Sequence, residues 1–180
     1  MKYIRRFLWF IASRMLIFSF CAALITLMFF VAFNMANIYI LLKDGMEARA
    51  AMILTQDSPT SLDAYFRDEF LADDDALIIA LSDQSPYLDY SISGYDYELR
   101  ISRIWSWPWE DTATATVTET VNSITGSVVA SSQQLANDGI IPGTPPEWTG
   151  GEYVVTLYRA NGRWRIAGLR QTRAFLPDAA

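Results

Sequence analysis

The side chains in this sequence that can move protons are carboxylates and phenols. Asp63, Asp89 and Asp96 stand near Tyr65, Tyr90, Tyr95 and Tyr97. A carboxylate base paired with a Tyr hydroxyl, or with a protonated acid that steadies an oxyanion, can enolise a substrate in an apolar cavity. Spacing selects no single pair among them, and Asp96 and Glu98 fall on the strand face opposite Tyr95 and Tyr97. Other chemistry is closed off by composition. The 180 residues contain no His, which excludes His-based triads, His-ligated zinc or haem and a His pH switch. Cys21 is the only cysteine and lies in an apolar run, so there is no disulfide framework, CxxC or thiolate cluster. No Lys follows Lys43, no Ser or Thr has a credible catalytic base beside it, and Gly94 and Gly126 are isolated rather than part of a phosphate loop. Asp73, Asp74 and Asp75 precede the run ALIIAL. Carboxylates in a first helical turn complement the helix dipole, whereas a calcium loop needs alternating acids, a central Gly and a distal Glu. These residues predict no catalytic centre, no cofactor and no metal.

Binding residues stand out more than catalytic ones. Trp105, Trp107 and Trp109 alternate through one short stretch. Trp is enriched at binding hot spots, and it also buries large area in any core, so the group reads either as an interaction surface or as packing. Arg159, Arg163, Arg165, Arg170 and Arg173 form a basic stripe near the end of the chain. Arg163 and Arg165 share one strand face, where they either pair with acids such as Glu152 or meet an anionic partner. The candidate interaction surface is therefore Trp105, Trp107, Trp109, Arg163 and Arg165.

The elements that position these residues divide by charge. Residues 1–43 hold five basic residues and no acid, so the remaining nine basic and all 20 acidic residues lie beyond them, a balance of −11. Such a domain is a poor nucleic-acid binder, because phosphate contacts need clustered Lys and Arg. From Met15 to Leu42 there is no charge, Gly or Pro. As a helix this stretch is about 42 Å long, against a hydrocarbon core of about 30 Å. Its apolar heart is too long for the h-region of a secretory signal, and Ala32 and Ala36 are wrongly spaced for cleavage. The expected organisation is a basic cytoplasmic tail (1–14), a transmembrane helix (15–37), a helical juxtamembrane linker (38–57) and a domain over 58–175. The positive-inside rule places the N-terminus in the cytoplasm and the domain outside. Gly45 marks an expected kink, and 46–55 reads as an amphipathic helix that packs under the domain, lies on the bilayer or pairs with a partner helix.

Ser58-Pro59 reads as a helix start, with Leu62, Tyr65, Phe66 and Phe70 on one apolar face, and a short helix follows the three Asp residues. Period-two alternation then predicts strands over 95–101 and from Thr112 to Val121 or on to Ala130, with Trp107-Pro108-Trp109 turning the chain between them. Residues 131–150 read as a long loop. Asn161-Gly162 between alternating hydrophobics is a strong hairpin signal, because both turn residues need positive φ. Tyr153, Val155 and Leu157 share a face with Trp164 and Ile166 across that turn. Helices followed by antiparallel strands predict an α+β fold.

This order, closing on V-x-L-x-R-x-x-G-x-W-x-I (Val155, Leu157, Arg159, Gly162, Trp164, Ile166), resembles the NTF2-like superfamily of cystatin-like α+β rolls over about residues 58–173. The chain as a whole, with LLKDGMEARA and WPWEDTA, also resembles small uncharacterised membrane proteins of Firmicutes. In layout it resembles the scaffold subunits of type IV secretion and conjugation machines. The resemblance implies helices closing a curved antiparallel sheet around a cavity. Tyr65, Phe66, Tyr97, Leu99, Tyr153, Val155 and Trp164 are the candidate lining. Some members of the superfamily are isomerases, dehydratases or cyclases, and others bind proteins without catalysis. The expectation is a single-pass integral membrane protein whose extracytoplasmic domain meets protein partners in a membrane or envelope assembly. The alternatives are a lipid or small apolar ligand in the roll and, after that, a cavity enzyme.

Overall fold

A computed structural model describes residues 2–57 and 61–175 of the chain. The first element, α1 (Lys2–Thr55), is one helix of 54 residues, about 81 Å long at 1.5 Å per residue. Its N-terminal part is long and apolar enough to cross a membrane, and its most apolar window is fully exposed. The C-terminal part is a core helix. Asn34, Ile38, Leu42, Met46, Arg49, Ala50, Ile53 and Leu54 are buried and recur every three or four positions, which puts them on one face. Lys43, Asp44 and Glu47 lie on the exposed face.

Gly45 does not break the helix, since α1 runs through it. The glycine serves close approach instead. A Cβ built there would lie 3.0 Å from Tyr65 Cβ and 3.2 Å from Ile166 Cδ1. Residues 38–54, expected as a linker, therefore form the inner layer of the domain.

The helix expected from Ser58-Pro59 also differs. Residues 58–60 lie outside the described part. Leu62–Ala64 is a single 3-10 turn, and α2 (Asp68–Asp73) begins only after an extended stretch. That stretch docks on a sheet edge: Ile166 N–H donates to Tyr65 O (2.8 Å) and Arg67 N–H donates to Ile166 O (2.9 Å). Sheet pairing overrides the helical pattern of Leu62, Tyr65 and Phe66. α3 (Asp75–Ala80) follows as expected, and its N-cap is Asp74, whose side chain accepts from Ala76 N–H.

Four strands complete the domain: β1 (Tyr90–Ser106), β2 (Thr112–Val128), β3 (Gly151–Ala160) and β4 (Arg163–Ala174). They form one antiparallel sheet in the order β1-β2-β3-β4. β1 slips register at three places against β2, and such bulges bend and twist a strand. Asn161 and Gly162 both have positive φ, 52° and 76°, as the hairpin signal requires. Residues 131–150 hold a short helix, α4 (Gln133–Asn137), and irregular chain beyond it. The architecture is α+β. The inward faces of β2, β3 and β4 supply Ala113, Ala115, Val117, Val155, Leu157, Trp164 and Ile166, which close on Ile38 and Leu42 of α1. A second cluster joins Ile53 and Leu54 to Leu77, Ala80 and Tyr87 at the other end.

Candidate functional site

The polar residues of the interior converge where α1 crosses the middle of the sheet. Arg49, one turn before the last buried residues of α1, forms a two-pronged ion pair with Asp74: Nε to Oδ2 at 2.6 Å and Nη2 to Oδ1 at 2.9 Å. Both side chains are almost wholly buried. Asp74 therefore caps α3 and ties it to α1. Across the interior, Glu119 of β2 is fully buried and accepts a hydrogen bond from Tyr97 Oη of β1 at 3.1 Å. Its second oxygen, Oε2, has no hydrogen-bond partner.

The electrostatics follow from this geometry. Burial pushes the Glu119 carboxyl up, and the Arg49 charge and the Tyr97 hydrogen bond offset only part of that. Burial, then the neighbouring Glu119 carboxylate, push the Tyr97 phenol up as well. Tyr153 shifts the same way for the same two reasons. Burial works against the Arg49 charge, but the paired Asp74 and nearby Glu119 together hold its pKa above normal. Arg49 and Tyr153 also border a cavity of about 260 Å³ shared with Ile53, Ile79, Pro86 and Trp148, and Trp148 Nε1 is buried without a partner.

None of the Asp–Tyr pairs weighed from sequence assembles. Asp63 is exposed, Asp96 accepts from Asn122, and Asp89 accepts from Ser132. Tyr90 donates to Pro142 O at 2.9 Å, Tyr95 packs on the second cluster, and Tyr65 lies against Gly45. The acid that does meet a phenol is Glu119, which the sequence reading passed over. The available signal was parity: Ala113, Ala115, Val117 and Glu119 all take the inward positions of one strand.

The candidate lining residues all turn inward. Phe66, Val155 and Trp164 belong to the main core; Tyr65, Leu99 and Tyr153 pack against it; and Tyr97 holds Glu119. The space between them is occupied by α1 itself. Among these seven, only Tyr153 borders the 260 Å³ cavity.

The candidate surface residues gather at the end of the domain where α1 enters it. Asn34 donates to Ser106 Oγ (3.0 Å) and accepts from Trp164 Nε1 (2.8 Å), so the helix, the end of β1 and the start of β4 meet there. The β1–β2 turn follows Ser106 directly. Three indoles cluster here: Trp105, near the end of β1, lies edge-on to Trp107 (5.5 Å), and Trp107 stacks on Trp109 within the turn (5.2 Å). All three are exposed. Arg159 braces the turn through Asp111 and the carbonyls of Pro108 and Glu110. Arg163 and Arg165 line an open groove at the hairpin tip with Arg67, Asp68, Glu69 and Tyr158. Neither meets Glu152, because the register sets Glu152 opposite Arg173 at the other end of the hairpin. At the opposite end of the domain Ile78, Ile79, Leu81, Leu88, Leu135 and Ile140 are exposed. Comparison with protein-family models, curated proteins and solved structures finds no match to this chain.

Proposed function

We propose that this is a single-pass membrane protein of the cell membrane whose domain stands outside the cytoplasm and holds protein partners in a membrane or envelope assembly. The observation that carries the reading is the continuity of α1. One helix supplies both the apolar, exposed N-terminal segment and the centre of the folded domain. Removing the apolar segment at a processing site after Ala36 would sever Asn34 from Ser106 and Trp164, so an anchor fits better than a cleaved signal. The domain is thereby a platform at set height, with no hinge between span and core. Helices on a bulged antiparallel sheet, in the expected order, are consistent with an NTF2-like roll, but here the anchor helix fills the interior. That favours binding by surfaces over binding by a cavity. The exposed aliphatic residues at the far end, Ile78, Ile79, Leu81 and Leu88, suit a protein partner. Glu119 is closed off behind its neighbours, which favours a non-catalytic domain.

The test is isolation of the full chain from native membranes in mild detergent, tagged at the N-terminus, with mass spectrometry of what copurifies. A stoichiometric set of envelope proteins, lost in Leu81→Asp and Leu88→Asp variants that still fold, is expected. A monomer without partners overturns the reading. A second reading rests on the 260 Å³ cavity beside Arg49 and Tyr153: a ligand smaller than the usual 300–1,000 Å³ site accepts, with an anionic group for Arg49. Its mark is a small molecule of one kind released on denaturing the purified protein.

A further inference from the structure

We propose that the domain docks onto the bilayer it is anchored in, with Trp105, Trp107 and Trp109 seated in the headgroup zone. This rests on the anchored reading above and names the occupant of the tryptophan surface. Its first support is position. Met15–Phe33 carries no charge and spans about 28 Å as a helix, close to the thickness of a hydrocarbon core. Phe29, Phe30 and Phe33 at its end are exposed, and Asn34, the next residue, is already bound into the domain through Ser106 and Trp164. The hydrocarbon boundary therefore falls at Asn34, and the turn that begins after Ser106 lies at the same level.

The second support is chemistry. Three clustered indoles, 49%, 42% and 69% exposed, one edge-on and two stacked, leave apolar area in water at the end of the domain that α1 enters. Trp is the residue that the interfacial zone selects, since its ring is apolar and its N–H can meet a phosphate or carbonyl. The third support is charge. The domain carries −11 beyond residue 43, but at this end Arg67, Arg103, Arg159, Arg163 and Arg165 offset Asp68, Glu69, Glu110 and Asp111. Arg103 lies over Trp105 at 5.8 Å, Arg159 neutralises Asp111 within the turn, and Arg163 and Arg165 face out at the neighbouring tip beside Asp68 and Glu69. An acidic domain is thus spared repulsion where it meets phosphate.

The test places a nitroxide at one engineered cysteine at a time in the full chain, in a Cys21→Ser background. The chain is reconstituted in phosphatidylcholine–phosphatidylglycerol vesicles containing no other protein. Leu24→Cys reports the anchor, Trp107→Cys the turn and Leu88→Cys the far end. Collision with a water-soluble nickel chelate is expected to be several-fold weaker at 107 than at 88, and weakest at 24. Equal collision at 107 and 88, with 24 still protected, overturns docking while leaving the anchor standing and assigns the tryptophans to a protein partner. Loss of protection at 24 overturns the anchor itself. Because the label replaces one of the three rings, intact chain provides the second measurement. Lipids brominated near the headgroup are expected to quench most of the emission that the Trp105→Ser/Trp107→Ser/Trp109→Ser variant lacks. Quenching equal in the two chains overturns the proposal.

Discussion

Replacing Arg49 by Met tests the centre of the fold most directly. Its guanidinium stands within reach of two buried carboxylates: it pairs with Asp74 at 2.6 and 2.9 Å and offsets the charge of Glu119. Removing one partner of a buried pair costs about 3–5 kcal/mol, because the other charge is left without compensation. Asp74 keeps the Ala76 N–H and Glu119 keeps the Tyr97 hydroxyl, so neither is stripped of every partner. With domain stabilities of about 5–15 kcal/mol, the variant stays folded but marginal, and its thermal midpoint falls by about 10–20 °C. The deficit depends on pH. Burial already pushes the Glu119 carboxyl up and the Arg49 charge offsets part of that, so the variant loses the offset and acidification relieves it relative to wild type. The charge-balanced Arg49→Met/Asp74→Asn/Glu119→Gln variant is expected to recover most of the loss at neutral pH. The assay is urea unfolding of full-length protein in micelles, followed by near-ultraviolet circular dichroism, which reports the packed aromatic residues of the domain rather than the helicity of α1. A single-variant loss below about 1 kcal/mol, the range of exposed pairs, that does not vary with pH would show that the ion pair is not desolvated and would refute the reasoning.

Three further outcomes follow from the same interior and its edges. Burial raises the Glu119 pKa above its ordinary 4.5, so its contribution to stability is present below about pH 4.5 and is lost as pH rises through the native value. Glu119→Gln is therefore expected to be the more stable protein at pH 7 and to converge with wild type toward pH 4, measured by the same unfolding curves; a gap that widens on acidification would contradict the sign. Gly45→Leu puts a side chain where even a Cβ lies 3.0 Å from Tyr65 and 3.2 Å from Ile166, and overpacking of this kind costs about 1–3 kcal/mol; an unchanged or raised denaturation midpoint would show that the helix is not seated so closely. Asn34→Leu leaves the Trp164 N–H and the Ser106 hydroxyl without their partner, a loss of about 1–3 kcal/mol, with faster hydrogen exchange expected at the end of β1 and the start of β4; exchange confined to α1 would refute the link between them.

What the sequence determined by itself is what neighbouring residues encode. The uncharged run of α1, the acidic start of α3, the alternation of β1 and β2 and the Asn161-Gly162 turn were all legible, because each depends on spacing along a few residues. The tertiary structure decided the rest, through contacts between residues far apart in the chain. Gly45 reads locally as a helix breaker, yet Tyr65 and Ile166 make it a point of close packing. Leu62, Tyr65 and Phe66 read as a helical face, yet the free edge of β4 draws residues 65–67 into extended pairing. Glu119 is one acid in a Thr-rich strand, and only the register of β1 beside β2 and the passage of α1 overhead set it between Tyr97 and Arg49. The inner face of the sheet is covered by α1 of the same chain. Hydropathy identifies the uncharged stretch Met15–Leu42 of that helix, but an apolar residue is satisfied equally by lipid or by a protein core. Which of the two each turn of α1 meets is set by the sheet that closes on it.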